Sequence, residues 1–182
     1  MDNPLIKIVV TGPESTGKTE LSMHLSSLLG EKYIPEYARS YVEQLDRRYT
    51  YEDVEHIASV QLKQLKDAER DTNQVIILDT FLIITKVWFQ EVFKRVPDWI
   101  SPVLKDSGID LFLLCNTDVK WVEDPVRENH GSRRAYLFER YMTEIEELGV
   151  PWEIVRGRGT ERNLNALKAI LRHFQYLHNR IK

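Results

Sequence analysis

The stretch Gly12-Pro-Glu-Ser-Thr-Gly-Lys-Thr19 decides how this chain folds. It matches the pattern G-x-x-x-x-G-K-[ST] at every fixed position. The apolar run Leu5–Val10 comes directly before it and predicts a buried strand, while Leu21, Leu25 and Leu28 after it share one face of a predicted helix. A strand before the pattern and a helix after it are the context in which this pattern forms a phosphate-binding loop.

Each fixed position of the loop has a physical task. Gly12 and Gly17 allow backbone conformations that a Cβ atom would obstruct. The N–H groups of such a turn, together with the N-terminus of the following helix, point at phosphate oxygens. Lys18 is expected to reach the β- and γ-phosphates, and the Thr19 hydroxyl is expected to bind Mg²⁺. We therefore expect the chain to use ATP and Mg²⁺. The predicted nucleotide-binding residues of the loop are Gly12, Pro13, Glu14, Ser15, Thr16, Gly17, Lys18 and Thr19.

Outward from the loop, apolar runs alternate with helical patterns. Near-continuous apolar runs are typical of strands covered on both faces, as in parallel sheets, and their alternation with helices is typical of α/β proteins. We therefore expect one domain over residues 1–182, with a three-layer α/β/α P-loop NTPase fold of the nucleoside- and nucleotide-kinase type and a five-stranded parallel sheet. The predicted strands are Leu5–Val10, Lys32–Pro35, Val75–Leu78, Asp110–Leu114 and Trp152–Val155.

Apolar residues at helical spacing predict the longer helices. One helix opens with Glu52 and Asp53, whose negative charges suit a helix N-terminus. Gly149 is expected to end another helix. The last helix is predicted from an apolar stripe that runs from Leu164 to Leu177.

The composition excludes several classes of protein. The chain has 182 residues, and its formal net charge of −3 gives no reason to expect a nucleic-acid partner. A single cysteine, Cys115, forbids an internal disulfide. The apolar runs are far shorter than a membrane span of about 20 residues. Because the N-terminus also lacks the basic start and long apolar core of a signal peptide, we expect the protein in the cytoplasm.

Two carboxylates follow predicted strands, and ligands of open α/β sheets bind beyond the carboxyl ends of the strands. Asp79 fits the pattern of a carboxylate that helps to hold Mg²⁺, and the alternative is that it caps the next helix. Glu36 is the candidate base that orients an acceptor hydroxyl, unless it is a surface residue at a helix start. Asp79 is the competing candidate base. Glu14, inside the loop, faces either a ligand, an arginine or solvent.

A polar, arginine-rich segment, residues 119–134, lies between the fourth predicted strand and a helix. We expect it to form a lid, because arginines that close over the γ-phosphate stabilise the charge that phosphoryl transfer spreads over its oxygens. Arg127 is the predicted catalytic arginine of this lid, and Arg133 and Arg134 are predicted to bind the nucleotide. The alternative is an exposed basic turn.

Four stretches of the chain, in this order, resemble a known family: GPESTGKT (12–19), PEYARSYVE (35–43), ILDTFLIIT (77–85) and DLFLLCNTDVKWVEDPVRE (110–128). They are similar to the nicotinamide riboside kinase domain of the NadR proteins, and the resemblance extends over nearly the whole chain. It implies a P-loop nucleoside-kinase fold, the use of Mg·ATP, and phosphorylation of the 5′-hydroxyl of nicotinamide riboside.

The resemblance also implies roles for single residues. Lys18 and Thr19 would hold ATP and Mg²⁺, Asp79 would lie at the reacting centre, and Arg127 would belong to the lid. Two positions depart from the family, because Pro35 and Gln64 stand where aromatic residues usually occur. Aromatic residues that could contact a pyridinium ring instead are Tyr37, Trp88 and Trp121. The predicted substrate-binding residues are Glu36, Tyr37, Arg39 and Trp121.

The sequence thus predicts an ATP- and Mg²⁺-dependent kinase for a hydroxyl of a small, nucleoside-like molecule. Nicotinamide riboside, which would yield nicotinamide mononucleotide, is the first acceptor to consider. Two alternatives stay open: a kinase for another nucleoside or a vitamin alcohol, and a P-loop ATPase or switch that acts on a protein partner. We expect no nucleic-acid or membrane partner.

Overall fold

Strands and helices alternate in the computed structural model, which describes residues 4–29, 31–71, 74–125 and 127–181. Residues 1–3 of the predicted domain and Val126 of the segment 119–134 lie outside the described residues. The strands are β1 (Ile6–Thr11), β2 (Lys32–Ile34), β3 (Val75–Asp79), β4 (Leu111–Cys115) and β5 (Trp152–Val155). The helices are α1 (Lys18–Leu29), α2 (Tyr37–Glu43), α3 (Tyr51–Asp71), α4 (Leu82–Trp88), α5 (Ile100–Asp106), α6 (Ser132–Leu148) and α7 (Thr160–His173).

The strands form one five-stranded sheet in the order β2-β3-β1-β4-β5, and every neighbouring pair is parallel. This confirms the predicted parallel sheet. In the central strand β1, Val10 pairs with Asp79 of β3, and Thr11 pairs with Leu114 of β4. The loop after β1 therefore meets the ends of both neighbouring strands at one edge of the sheet.

Alternate residues of the central strand face two separate hydrophobic cores. Ile8 and Val10 pack with Leu25 of α1 and Ile170 of α7. Val9 points to the opposite face, where α3, α4 and α6 cover the sheet. Both faces of the sheet are thus buried, which explains why its strands are almost continuously apolar. The predicted three-layer α/β/α fold is confirmed.

The last helix is shorter than predicted. Phe174 leaves the helical region of the backbone, with φ −131° and ψ 70°, so α7 ends at His173 and a 3₁₀ turn (Gln175–Arg180) follows. Leu177 reaches the core from this turn and not from the helix. Leu164 is 50% exposed, so the predicted stripe is wrong at both ends. Gly149 does end α6, in the left-handed conformation.

Residues 82–106 add elements that we did not expect from the sequence. A π-helical turn (Phe89–Phe93) follows α4, and α5 comes next. Such turns insert an extra residue into a helix and are frequent at functional sites. The turn carries Glu91 and Val92 to the wall of a cleft described below. Within the described part of the chain, none of the helices combines the length and the apolar character that crossing a bilayer requires.

Candidate active site

The phosphate loop begins where β1 ends and is held in shape by its own polar groups. Gly12 has φ +136°, and a Cβ atom there would lie 2.8 Å from the carbonyl oxygen of Cys115 in β4, so the position requires glycine. The Lys18 Nζ donates to the Pro13 carbonyl over 2.9 Å, and the Thr16 hydroxyl donates to the same oxygen over 2.8 Å. Backbone geometry and hydrogen bonds together wind the loop into its turn.

Arg162, at the start of α7, ties the loop to the neighbouring strand. Its guanidinium is buried and donates to the carbonyl oxygens of Thr16 and Asn116, each over 3.1 Å, and to the Asp118 carboxylate. Hydrogen bonds from a charged donor are stronger than neutral ones. This single side chain therefore fixes the loop against the residues that follow β4.

Arg134, on α6, is a second buried arginine on the loop. Its Nε and Nη2 donate to the carbonyl oxygens of Glu14 and Ser15 over 3.1 and 2.6 Å, and its Nη1 donates to Val119 over 2.9 Å. Its guanidinium carbon lies 5.9 Å from the ring centroid of Trp121, and burial lowers its pKa. Two of the three donating nitrogens of Arg134 thus bind loop backbone, where they shape the loop, and the third binds the segment 119–134.

Thr19 and Asp79 meet directly below the loop. The Thr19 hydroxyl donates to one oxygen of the Asp79 carboxylate over 2.6 Å, and the other oxygen is buried without a hydrogen-bond partner among the described residues. Burial raises the pKa of Asp79, and the Thr19 hydrogen bond and Lys18 oppose that rise. The helix after β3 has Phe81 as its N-cap residue, so Asp79 is not the cap.

The Thr19 and Asp79 pair fits a divalent cation. Mg²⁺ takes oxygen ligands and is commonly held by one or two carboxylates, with water and phosphate oxygens as its other ligands. An unpaired buried carboxylate oxygen beside a hydroxyl supplies that donor set. No group of three or more His, Cys, Asp or Glu side chains gathers within the residues that the structure describes, so nucleotide phosphates and water would complete the shell.

Glu36 stands at the N-terminus of α2, and its side chain does not cap that helix. The side chain is half-buried and lines the cleft beside the loop. Burial raises the pKa of Glu36, the positive charge of Lys18 opposes the rise, and the carboxylate of Asp79 adds to it. A carboxylate with a raised pKa accepts a proton more readily near neutral pH, as a general base must.

The segment 119–134 folds onto the loop through Glu14 and Ser15. The Glu14 carboxylate accepts hydrogen bonds from the backbone N–H groups of Glu128 and Asn129 over 3.0 and 2.9 Å, and from the Asn129 side chain over 3.0 Å. The Ser15 hydroxyl accepts the N–H of Val122 over 2.9 Å. Glu14 therefore binds backbone and an amide of the segment, and so holds the segment against the loop.

The arginines of the segment differ in their partners. Arg127 donates to a backbone carbonyl of the same segment over 2.6 Å. Arg133 forms an ion pair with Glu91 of the π-helical turn over 2.7 Å. Across the cleft, Arg39 of α2 forms an ion pair with Asp124 over 2.5 Å, so the segment is bound to α2 as well as to the loop.

A cleft of about 840 Å³, which we call the acceptor cleft after the role proposed for it below, opens beside the loop. The loop forms one part of it, α2 and residues 45–49 form a second, and α4, the π-helical turn and α6 close it. The structure brings most of the predicted residues together here. The predicted residues that line the cleft are Glu14, Ser15, Thr16, Gly17, Lys18, Thr19, Glu36, Arg39, Arg127 and Arg133.

Two predicted aromatic residues lie elsewhere. Tyr37 packs against Tyr41, with ring centroids 5.9 Å apart, and Trp121 packs against Arg134. The third aromatic candidate, Trp88, does line the cleft, together with Tyr49 and Tyr141.

A second cleft, of about 660 Å³, shares loop residues Ser15–Gly17 with the acceptor cleft. The start of α7, with Gly159 and Thr160, forms one wall, and Val122 with Lys120 forms another. Arg127 borders both clefts. The phosphate loop is therefore reached from two clefts.

Comparison with known proteins identifies the family of this chain. A protein-family model described as an AAA domain matches residues 7–162. The chain belongs to the AAA domain family. A comparison with curated protein sequences finds no match to this AAA domain.

Solved structures share the fold of this AAA domain. A crystal structure of the NadR protein in complex with NAD and AMP-PNP matches with a TM-score of 0.76 and 22% identity, over 92% of this chain and 49% of that one. NadR in complex with NR matches with a TM-score of 0.79 and 22% identity, over 92% and 51%. The chain thus spans about half the length of these NadR chains. Thymidylate kinase from Ehrlichia chaffeensis matches with a TM-score of 0.62 and 13% identity, over 92% and 100%.

Three residues that matter to the site of this AAA domain were not identified from the sequence. Arg162 and Tyr49 have partners far away in the chain, and no local pattern marks them. Asp53 was predicted only as a favourable charge at a helix N-terminus, yet it is buried and accepts hydrogen bonds from Arg47, Thr50 and Tyr41. Its position at a helix N-terminus is the signal that the sequence offers for Asp53, and many other acidic residues share that position.

Proposed function

We propose that this protein is a kinase that transfers the γ-phosphate of Mg·ATP to a hydroxyl of a small, nucleoside-like molecule. The observation that carries the proposal is the phosphate loop between two clefts, with Glu36 at the wall of the larger one. Two clefts that share a phosphate loop suit a reaction between two bound small molecules. The fold that the chain shares with NadR and thymidylate kinase supports this proposal.

The nucleotide would enter the 660 Å³ cleft with its base and ribose and extend its phosphates into the loop. N–H groups of the loop and the N-terminus of α1 would bind the phosphate oxygens. Lys18 would meet the β- and γ-phosphates in place of the Pro13 carbonyl that it now contacts. Arg127, which borders both clefts, would contact the γ-phosphate as it moves between them, and the segment 119–134 would serve as a lid.

The acceptor hydroxyl would lie between Glu36 and the γ-phosphate. Its oxygen forms the new bond to phosphorus while the bond from phosphorus to the β,γ-bridging oxygen breaks, and the hydroxyl proton passes to the Glu36 carboxylate. Asp79 and Thr19 would hold Mg²⁺, which neutralises charge on the phosphates. Lys18 and Arg127 stabilise the charge that develops on the transferred group.

Nicotinamide riboside is the first acceptor that we propose, with nicotinamide mononucleotide as product. This choice of acceptor rests on the resemblance of the four sequence stretches and on the fold that the chain shares with NadR, which was crystallised with NR. Another nucleoside or a vitamin alcohol would use the same residues. We expect the reaction to take place in the cytoplasm.

A product assay tests the proposal. The protein is incubated with Mg·ATP and single members of a panel of nucleosides and vitamin alcohols, and phosphorylated product is measured by mass spectrometry. We expect ADP and one phosphorylated acceptor in equal amounts. Absence of product from every acceptor would rule out this function. Slow ATP hydrolysis that no small molecule changes, together with a co-purifying protein, would favour the protein-directed ATPase.

A further inference from the structure

The acceptor cleft has an aromatic wall made by Tyr49 and Trp88. The two rings meet edge to face, with centroids 4.6 Å apart and planes at 80°, an arrangement that aromatic pairs prefer. Both residues line the cleft. The hydroxyl of Tyr49 also donates to Glu128 over 3.2 Å. A planar ring of the acceptor would find its apolar surface here.

Residues 47–50, beside this wall, are held by Asp53. Its carboxylate is buried and accepts two hydrogen bonds from Arg47, over 2.5 and 3.0 Å, one from the Tyr41 hydroxyl over 2.8 Å, and one from the Thr50 N–H over 2.7 Å. This group of charge-assisted hydrogen bonds makes the short connection between α2 and α3 a fixed structure. The side chains of Arg48 and Tyr49 are therefore presented to the cleft from a rigid support.

The arginines that line the cleft differ in whether their charge is already neutralised. Arg47 is paired with Asp53, Arg39 with Asp124, and Arg133 with Glu91. Arg48 lines the cleft as well, and in the described part of the chain no carboxylate contacts it. Its guanidinium carbon lies 5.8 Å from the centroid of the Tyr49 ring. Arg127 borders both clefts, and in the proposed function its charge is neutralised by the γ-phosphate of the nucleotide.

We propose that Arg48 selects an acceptor whose ring carries an anionic group, such as a carboxylate, while the ring itself packs against Tyr49 and Trp88. The proposal rests on the kinase function proposed above and revises its first acceptor, because it ranks the carboxylate counterpart of nicotinamide riboside above nicotinamide riboside itself. A guanidinium binds a carboxylate through two parallel hydrogen bonds. A neutral amide on the same ring offers one acceptor oxygen and no charge, so it binds Arg48 less tightly.

The position of Arg48 over Tyr49 also disfavours a ring with a net positive charge. A cationic ring gains from an open aromatic face, but the Tyr49 ring already has a guanidinium beside it, and two like charges repel. A carboxylate on the ring cancels the positive charge and attracts Arg48 at the same time. The cleft therefore favours the carboxylate member of any pair of ribosides that differ only in this group.

The test uses two matched pairs of acceptors: nicotinamide riboside with nicotinic acid riboside, and uridine with orotidine. We expect a kcat/KM about tenfold higher for a carboxylate member, the lower end of what a hydrogen bond to a charged group contributes, because Arg48 is exposed. Arg48→Gln should abolish this preference and Arg48→Lys should keep part of it. Arg70→Gln, which removes an exposed arginine of α3, is the control.

Each outcome separates this inference from the proposed function. Equal kcat/KM within both pairs, a preference for the uncharged members, or a carboxylate preference that persists in Arg48→Gln would overturn the inference while the kinase function stands. So would phosphorylation of other acceptors but of neither pair. No phosphorylated product from any acceptor would instead overturn the proposed function. The preference should also shrink between ~0.05 and ~0.5 M salt, because ions screen an exposed charge.

Discussion

The two sides of the proposed kinase site, the nucleotide side and the acceptor side, are built in different ways. On the nucleotide side, eight consecutive residues form the loop, and Arg134 and Arg162 hold its backbone carbonyls. On the acceptor side, side chains converge from α2, from residues 45–49, from α4 and its π-helical turn, and from α6. Backbone groups thus shape the first side, whereas side chains shape the second.

This difference determines what a substitution can do on each side. A loop that binds phosphate through N–H groups keeps its chemistry whatever most of its side chains are, so its few fixed residues carry the function. A cleft lined by side chains changes its specificity with each of them. The four changes below test this contrast, from the largest expected effect to the smallest.

Lys18→Ala should have the largest effect, because it removes the ammonium that we propose meets the β- and γ-phosphates. We expect kcat to fall about 10³-fold, or about 4 kcal/mol, with the unfolding transition little changed, since the Nζ contacts the loop itself. Steady-state kinetics and circular dichroism measure the two quantities. Lys63→Ala, on the exposed face of α3, is the control. Normal turnover of Lys18→Ala would mean that phosphate binds elsewhere.

Arg162→Met tests whether the loop needs its arginine support. The change removes the Arg162 donor from one oxygen of the Asp118 carboxylate and from the carbonyls of Thr16 and Asn116, so the free energy of unfolding should fall by about 3 kcal/mol. Arg172→Met, on the same helix but 59% exposed, should change it by less than about 0.5 kcal/mol. Urea unfolding compares them, and equal stability of the two variants would contradict the support role.

Glu36→Gln tests whether Glu36, which lines the acceptor cleft beside the loop, acts as the general base. We expect kcat to fall about 10²-fold, the lower range for loss of a general base. Because burial raises the pKa of Glu36, wild-type activity should fall as the pH drops through a value above the usual glutamate pKa of about 4.3. The variant should lack this acid limb. A variant that keeps both the limb and its turnover would transfer the role of base to Asp79.

Asp53→Asn tests the support of the acceptor wall. The KM for the acceptor should rise several-fold while the KM for ATP stays constant, and the free energy of unfolding should fall by about 1–2 kcal/mol at pH 7. An equal rise in both KM values would show that residues 47–50 do not belong to the acceptor side alone.

The pH dependence of this variant has a definite sign. The Arg47 guanidinium, with hydrogen bonds from Thr50 and Tyr41, holds the pKa of Asp53 below its usual range. The carboxylate therefore contributes its full stability above the unfolded pKa of about 3.9 and loses it as the pH falls toward the folded pKa. The stability difference between wild type and variant should be largest near pH 7 and shrink below about pH 4, as acid unfolding curves would show.

The contrast between the two sides also explains how much the sequence could predict. The loop obeys a local rule, so its fixed residues, the flanking strand and helix, and the parallel sheet were all predicted from contiguous patterns. Arg162 depends on partners that only the fold brings near. The partners of Asp53 lie 3 to 12 residues away along the chain, but an acidic residue at a helix start does not by itself reveal its burial. Tyr37 and Trp121 were predicted as substrate contacts because they are aromatic, but side-chain direction set by α2 and by Arg134 sends them elsewhere.

The close approach of Gly12 to Cys115 has a practical consequence. Cys115 is the single cysteine of the sequence, it lies directly behind the phosphate loop, and burial raises the pKa of its thiol to about 11. At pH 8 only about one thiol in 10³ is ionised, and the sulfur is shielded from reagents. Its rate of alkylation therefore reports how often this edge of the sheet opens. A bound nucleotide should hold this edge closed and therefore slow the alkylation of Cys115. The alkylation rate is thus a measure of how fully nucleotide occupies the loop.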